Sequence, residues 1–265
     1  MRLKERFSSN FGVRASGHRP GGSGGGDVFL SVVIPAFNEE ARIGETLRKI
    51  RAYLETRPDP FEIIVVGDGC RDRTCAVAAA CLREEGRDRV LERSENRGKG
   101  RAVAEGVAAA RGGLILFSDA DLSTPIEEIE KLLPLAGEGF DVVIGSRALP
   151  DSDVQVRQRR PRESMGKIFN VLVRLLVLPG IRDTQCGFKL FRREAARDIF
   201  PRLRIDGFSF DVEALYLARK RGWRIAQAPV IWRNSPRSRV RIVRSSAAML
   251  RDLLRIRRLH RHDAF

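Results

Sequence analysis

Histidine is scarce in this sequence, and its few occurrences lie near the chain ends: His18, His260 and His262. The sequence therefore argues against a central histidine-based catalytic triad or zinc site. Cysteine is also rare, and its occurrences form neither a C-x-x-C pair nor a metal-finger spacing: Cys70, Cys75, Cys81 and Cys186. We therefore expect reduced thiols, as in a cytosolic protein.

Long apolar runs are missing as well. A membrane-spanning helix needs about 18 or more apolar residues in succession, and the best candidate, residues 168–178, is interrupted by Arg174. Residues 1–27 are rich in glycine, serine and charge and lack the apolar centre of a signal peptide. We predict a flexible tail over these residues and a soluble or peripheral protein.

Positive charge, in contrast, is abundant. The chain of 265 residues has 49 Lys and Arg against 34 Asp and Glu, a formal net charge of +15. Such a surface attracts anions, whether nucleic acid, phosphorylated substrates or an anionic membrane. The sequence has neither a zinc-finger spacing nor an aromatic RNA-binding motif, so no nucleic-acid partner is predicted. A basic nucleic-acid-binding module stays open as the non-enzymatic alternative.

Short apolar strands alternate with helices from residue 28 to residue 147. The predicted strands, in chain order, are FLSVVIP, FEIIVV, VLER, LILFS and DVVIGS. Apolar strands separated by helices predict an α/β fold in which a mainly parallel sheet carries helices on both faces. The length of the chain suits one domain of this kind.

The alternation breaks after residue 147. A polar, basic loop is predicted over residues 148–162, and an apolar helix over residues 165–178. The segments CGFKLF, FDVEALYLARKRG and WRIAQAPVIW predict a strand, a helix and a last strand. Residues 240–265 combine an apolar side with many arginines, which predicts a basic amphipathic helix able to lie on an anionic bilayer.

Two carboxylates follow the strand LILFS. Asp119 and Asp121 are two residues apart, so both point to the same side of an extended segment. Such a pair can hold Mg²⁺ or Mn²⁺, which completes its coordination with water and substrate phosphates. A short D-x-D pattern also fits a turn with two solvated acids. Its position at the sheet edge where α/β folds bind ligands favours the metal site.

The loops after other predicted strands carry further candidates. Asp68 lies between two glycines and can accept hydrogen bonds from a base or ribose, although an ordinary turn with Asp72 as a helix cap would look the same. Asn38 is either a helix N-cap or a ligand contact. Lys99, in ENRGKGRAV, stands at the start of a predicted helix whose N-terminus could bind an anion, but the Walker A spacing is absent.

Several longer motifs carry a resemblance to a known family. IRDTQCGFKLF at residues 181–191, together with NRGKG, VVIGSRA, FDVE and the AP-V-W ending, resembles the family 2 glycosyltransferases. Within that family, these motifs are most similar to those of the dolichyl- or polyprenyl-phosphate β-glucosyltransferases. The likeness covers residues 29–260 of the chain.

The resemblance implies a GT-A fold, with a nucleotide half over residues 28–147 and an acceptor half over residues 148–239. It implies metal-dependent, inverting transfer of a hexose, glucose from UDP-glucose, to a polyprenyl or dolichyl phosphate at the cytoplasmic face of a membrane. The implied nucleotide contacts are Pro35, Phe37, Asn38, Glu39, Asp68, Lys99 and Asp119, and the implied metal ligands are Asp119 and Asp121. Ser146 and Arg147 fall on the acceptor side.

Two departures from the family pattern bear on these expectations. The commoner pattern has two adjacent acids in the second loop, whereas Gly67 precedes Asp68 here and Cys70 takes the usual serine position. The choice of nucleotide is therefore less constrained. The eukaryotic members also carry an N-terminal membrane anchor without a counterpart here, so we expect membrane attachment to come from elsewhere.

The chemistry of the acceptor fits the residue types. A phosphate monoester has a second pKa of about 6 and needs little help from a base at neutral pH, which suits a chain without central histidines. Forked arginine donors match phosphate geometry, and the candidates are Arg147, Arg160, Arg162 and Arg182. Asp211 is a candidate general base, or simply an acid that complements a helix dipole. With Asp121 and Arg147 it completes the predicted catalytic set.

Other activities stay open at this point. Mannosyl transfer from GDP-mannose, transfer to a soluble acceptor, and a sensor that binds a sugar nucleotide without transferring it all fit the same motifs. The sequence leaves the oligomeric state open.

Overall fold

The structure, a computed structural model, describes residues 28–82, 87–156, 169–233 and 242–263. The predicted tail at residues 1–27 lies outside these ranges. So do Arg160 and Arg162, two of the arginines predicted to bind the acceptor phosphate.

A seven-stranded sheet forms the centre of the molecule, in the order β3-β2-β1-β4-β7-β5-β8. All pairs are parallel except those of β7 with β4 and β5. The prediction of a mainly parallel sheet is therefore confirmed. The strands are β1 (Leu30–Ala36), β2 (Phe61–Asp68), β3 (Arg89–Arg93), β4 (Leu114–Ser118), β5 (Val142–Ser146), β7 (Phe188–Arg192) and β8 (Ile225–Pro229).

Helices cover both faces of the sheet because the central strands are apolar on both sides. Every residue of β1, β4 and β5 is buried. One core packs α1 and α4 against Val32 and Ile34, and the other packs α3, α7 and α8 against Val33 and its neighbours. The helices are α1 (Ile43–Leu54), α2 (Thr74–Cys81), α3 (Lys99–Ala109), α4 (Ile129–Gly137), α5 (described over residues 169–176), α6 (Arg193–Ile199), α7 (Phe210–Lys220) and α8 (Ile242–Leu259).

The reversed strand β7 is inserted between β4 and β5. Leu116 of β4 and Val143 of β5 both pair with Leu190. Because β7 runs antiparallel, the residues that precede it reach the carboxyl ends of its two neighbours. Gly187 accepts a hydrogen bond from the Asp119 N–H at 3.1 Å, and a Cβ at Gly187 would lie 1.9 Å from an Asp119 carboxylate oxygen. Glycine at this position therefore leaves room for the Asp119 carboxylate, which a Cβ would displace.

Three predicted boundaries differ from the structure. An N-cap at Asn38 would start the first helix at residue 39, but α1 begins at Ile43, because Asn38 takes a left-handed conformation (φ 55°) and a turn follows it. The predicted loop at 148–162 contains β6 (Asp153–Val156). The predicted last strand is two strands, since β8 stays in the central sheet while β9 (Ile231–Arg233) leaves it to pair with β6.

The helix predicted near the C-terminus is α8. Its Leu253 and Ile256 are buried in the core beside α7, while several of its arginines are exposed. Within the described ranges, each helix is either too short or too polar to cross a lipid bilayer.

Candidate active site

A cleft of about 400 Å³ opens at the carboxyl ends of β1, β2 and β4. Most of the residues predicted to bind the nucleotide or the metal line it together: Pro35, Phe37, Glu39, Asp68, Lys99, Asp119 and Asp121. They converge because parallel strands end at the same edge of the sheet. Arg147, Ser146, Arg182 and Asp211 are not among the lining residues.

Asp119 and Asp121 form the acidic end of the cleft. Asp121 accepts a hydrogen bond from the Ser123 N–H at 3.0 Å. Burial, and then the neighbouring Asp119 carboxylate, raise the pKa of Asp121. Two close carboxylates of this kind gain from a bound cation, and they suffice for Mg²⁺ or Mn²⁺ when phosphates and water complete the shell. Among the described residues, no cluster of three or more acidic, histidine or cysteine ligands occurs.

Lys99 faces this acidic end from the start of α3. Its Nζ lies 2.7 Å from Oδ1 of Asp119 and 5.1 Å from the centre of the Phe117 ring. Burial opposes the charge of Lys99, but Asp119 and Asp211 outweigh it and raise its pKa. The lysine therefore remains a cation where the diphosphate of a nucleotide would bring negative charge.

Asp68 holds the loop that leads into α3. Its two carboxylate oxygens accept the backbone N–H groups of Arg97 and Gly98 at 3.0 and 2.9 Å. Gly98 has φ 112°, and a Cβ there would lie 2.4 Å from the carbonyl oxygen of Asp206. Only glycine fits this position. Asp68 thus lines the cleft and also fixes the loop that carries Lys99; its predicted contact with the nucleoside stays a prediction.

Two exposed aromatic rings lie in the cleft. Phe37 is 42% exposed and Phe208, from the loop before α7, is 38% exposed. Exposed rings of this kind can stack on a nucleobase. Glu39, in the same loop as Phe37, forms an ion pair with Arg42, and its N–H donates to Oγ1 of Thr74 at 2.7 Å.

Asn38 has a role that neither sequence interpretation included. Its Oδ1 accepts the Arg71 N–H at 2.8 Å and so joins the loops after β1 and β2. Its interpretation as an N-cap is wrong, because the cap position of α1 is Arg42. Asp72 accepts the N–H of Thr74, the first residue of α2, at 3.0 Å, but the cap position of that helix is Arg73, so Asp72 contacts the first turn without being its N-cap.

A buried ion pair lies beneath the acidic end of the cleft. Lys189 of β7 and Asp211 of α7 are almost fully buried, with 2.5 Å between Nζ and Oδ1. Lys189 also donates to the carbonyl of Cys186. Burial raises the pKa of Asp211, against the opposing effects of Lys189 and Lys99. Asp211 lies in the first turn of α7, where an acid complements the helix dipole. Its role as a general base stays a prediction.

Arg147 is held at the end of β5 by a second pair. Its Nε and Nη2 donate to the two carboxylate oxygens of Asp183 at 2.7 and 2.9 Å, and its guanidinium lies 5.3 Å from the Trp232 ring centre. Burial opposes ionisation of Asp183, but Arg147 lowers its pKa to about 2. Because its pKa is so low, Asp183 stays ionised at neutral pH, and its ion pair with Arg147 is maintained.

The other predicted acceptor residues differ in position. Ser146 is fully buried, and its Oγ accepts the Ala148 N–H at 3.3 Å, so it does not reach the surface in this conformation. Arg182 is exposed, and its backbone N–H donates to Gln227 at 2.7 Å. Contact of either residue with an acceptor phosphate stays a prediction.

Several residues of this region were not among those predicted. Asn96 and Phe208 line the cleft, while Lys189 and Asp183 form ion pairs with the predicted residues Asp211 and Arg147. The signal for Lys189 was a single charge within the apolar strand FKLF, which indicates a buried partner. Phe208 lies in a loop without a periodic pattern, and its place in the cleft depends on the packing of that loop against α3.

Comparison with known proteins agrees with this architecture. The family described as Glycosyl transferase family 2 matches residues 31–200. The dolichyl-phosphate beta-glucosyltransferase of Homo sapiens is 39% identical over 241 residues, which cover 86% of this chain and 74% of the human protein. The enzyme of the same name from Dictyostelium discoideum is 36% identical over 243 residues, which cover 87% of this chain and 74% of that protein.

Solved structures show the same fold. Mannosyl-3-phosphoglycerate synthase from Rubrobacter xylanophilus superposes with a TM-score of 0.68 at 24% identity, covering 87% of this chain and 74% of that one. Glucosyl-3-phosphoglycerate synthase from Mycobacterium tuberculosis, in complex with UDP, gives 0.65 at 24% identity and covers 92% and 85%. The predicted GT-A fold is therefore confirmed. The chain belongs to glycosyl transferase family 2, and the dolichyl-phosphate beta-glucosyltransferases are among its relatives.

Proposed function

We propose that this glycosyltransferase moves glucose from UDP-glucose to a polyprenyl or dolichyl phosphate, with inversion at the sugar carbon. The observation that supports it most is the cleft in which Asp119 and Asp121 meet Lys99 at the carboxyl end of β4. The proposed sugar and lipid come from the relatives, which are dolichyl-phosphate beta-glucosyltransferases.

In this proposal the donor lies along the ends of β1, β2 and β4. Phe37 and Phe208 offer apolar surface to the base, and Lys99 offers a cation to the diphosphate. Asp119 and Asp121 are the residues that would hold Mg²⁺ or Mn²⁺. When bound, such an ion supplies a Lewis acid for the charge that develops on the leaving diphosphate.

The acceptor phosphate approaches from the side of β5. Arg147 supports this direction, because it directly follows β5 at the carboxyl end of that strand. Asp183 fixes the guanidinium in one orientation, which reduces the entropy lost when a phosphate binds. The acceptor is already ionised near neutral pH, so its oxygen attacks without prior loss of a proton.

Incubation with a panel of sugar nucleotides tests the proposal. Purified protein is mixed with a short polyprenyl phosphate, Mg²⁺ or Mn²⁺, and UDP-glucose or GDP-mannose in separate reactions. We expect mass spectrometry to detect a hexosyl lipid phosphate with UDP-glucose and none without lipid. A product with GDP-mannose alone, or transfer to a soluble phosphate instead of the lipid, would refute the assignment of donor or acceptor.

We also place the enzyme peripherally on the cytoplasmic face of a membrane. The four cysteines are free thiols, as a reducing compartment requires. α5 and α8 expose an apolar patch made of Val171, Leu175, Leu176, Leu250 and Leu254. Arg257 joins the two helices by donating to the Leu176 carbonyl at 3.4 Å, and both helices carry exposed arginines. Exposed apolar and arginine side chains on the same two helices suit an anionic bilayer.

Replacing Leu175 and Leu254 by glutamate tests this placement. These side chains are 75% and 66% exposed, so the double variant should fold normally. We expect at least about a tenfold loss of co-flotation with vesicles that contain anionic lipid. Phe29→Glu, which changes an exposed phenylalanine just before β1 and outside both helices, is the control and should float like the wild type. Equal flotation of all three proteins would contradict the placement.

A further inference from the structure

A buried histidine joins the C-terminal end of α8 to the body of the enzyme. The His260 side chain has no exposed surface, and its Nε2 lies 2.6 Å from Oε1 of Glu213 in α7. Its Nδ1 contacts a carboxylate oxygen of Asp263. An imidazole with a carboxylate at each nitrogen donates from both, which requires the protonated form.

Glu213 connects His260 to the loop before α7. The buried carboxylate accepts the Arg204 N–H through Oε1 at 3.0 Å and the Ile205 N–H through Oε2 at 2.9 Å. The Arg204 side chain returns to the C-terminal segment, where its guanidinium pairs with Asp263 at 2.8 Å. The loop is therefore fixed through its backbone and through a side chain.

The same loop forms one side of the donor cleft. The Asp206 carbonyl accepts the Gly100 N–H at 2.7 Å, at the start of α3. A Cβ at Gly100 would lie 2.8 Å from the Ile205 carbonyl, so the loop and the helix are in direct contact. Gly207 and Phe208, the next residues, line the cleft. A displacement of the loop would therefore move both the Phe208 ring and the helix end that carries Lys99.

We propose that His260 is a positioning residue, which holds the loop of residues 204–208 in its donor-binding position through Glu213. Through this link the C-terminal segment influences the shape of the cleft. The predicted stabilisation of the loop is independent of the function proposed above, whereas the predicted change in UDP-glucose binding rests on that function.

The charged and titratable groups around His260 define its pH dependence. They are Glu213, Tyr216 and Lys220 of α7, Arg204 of the loop and Asp263 beyond α8. Burial opposes protonation of His260, but Glu213 and Asp263 outweigh it and raise the pKa above its ordinary value of 6.5. The stabilisation that the charged imidazole gives to its contact with Glu213 is therefore fully present below pH 6.5 and is lost as the pH rises through the higher pKa of the folded state.

Hydrogen exchange measures the loop without any substrate. In His260→Gln we expect the Arg204 and Ile205 amides to exchange about tenfold faster than in the wild type. Ile256→Ala is the control for general destabilisation, because it removes a buried side chain from the same helix. It should accelerate exchange in α8 and leave the loop amides protected. His262→Gln, an exposed neighbour, should change neither region.

Donor kinetics give the second measurement. His260→Gln should raise the KM for UDP-glucose about tenfold and change kcat less than about twofold, because it alters binding geometry and not the reacting groups. The wild-type KM should rise with pH above neutrality, and the variant should lose that rise. Unchanged loop exchange in His260→Gln overturns the proposal. Equal loop exchange in His260→Gln and Ile256→Ala also overturns it, because the histidine then only stabilises the fold. Failure of glucose transfer in the wild type leaves the exchange result valid and refutes only the proposed function.

Discussion

Replacing Asp121 by asparagine is expected to lower the rate of glycosyl transfer about a hundred- to a thousandfold, the range seen when one group that stabilises transition-state charge is removed. The variant keeps the size and shape of the side chain, and the amide can still accept the Ser123 N–H. It lacks the negative charge that a divalent cation needs. The loss should therefore appear in kcat and in cation affinity, with little change in thermal stability.

The measurement combines product formation with a titration of Mn²⁺ by electron paramagnetic resonance. Asp151→Asn is a suitable control, because Asp151 is an exposed acid in the loop after β5. It should keep both the rate and the Mn²⁺ affinity of the wild type. Wild-type transfer by Asp121→Asn would remove Asp121 from the catalytic set.

Replacing Lys189 by methionine is expected to lower the free energy of unfolding by about 3–5 kcal/mol, the typical cost of leaving a buried charge without its partner. Lys189 and Asp211 are almost fully buried. The variant leaves the Asp211 carboxylate in the interior without its ion pair. The double variant Lys189→Met/Asp211→Asn removes both charges and should recover much of the loss.

The matched control is Lys49→Met. Lys49 also pairs with a carboxylate, Glu45, at 2.6 Å, but both side chains are 63% exposed. Exposed pairs contribute little because solvent screens them, so urea denaturation should show only a small effect. If Lys189→Met costs no more than Lys49→Met, the buried pair does not stabilise the fold. Glucose transfer by the double variant at the wild-type rate would also contradict a role for Asp211 as a general base.

The convergence of the cleft residues could be predicted from the sequence for a physical reason. Buried parallel strands appear as short apolar runs, and the residues after them meet at one edge of the sheet. The proximity of three acids could therefore be predicted without knowledge of the tertiary packing: Asp68, Asp119 and Asp121. The family motifs added the GT-A fold and the glycosyltransferase activity, which the strand pattern alone does not specify.

Other features depend on contacts between distant segments. The strand FKLF has the same apolar pattern whether it runs parallel or antiparallel, so its direction could not be predicted. Lys189 is buried because Asp211, 22 residues later, meets it in the interior. The scarcity of histidine argued against a central triad, but nothing in the sequence indicated the role of His260, whose two carboxylate partners come together only in the folded chain.

The insertion of β7 between β4 and β5 also affects how the protein is made. A growing chain that has reached residue 147 has both of those strands but not the one that joins them. Their unpaired edges can associate with other chains until residues 188–192 have left the ribosome and entered from the opposite direction. Strands from both sides of residue 147 thus complete a single sheet, and a fragment cut there would be prone to aggregate.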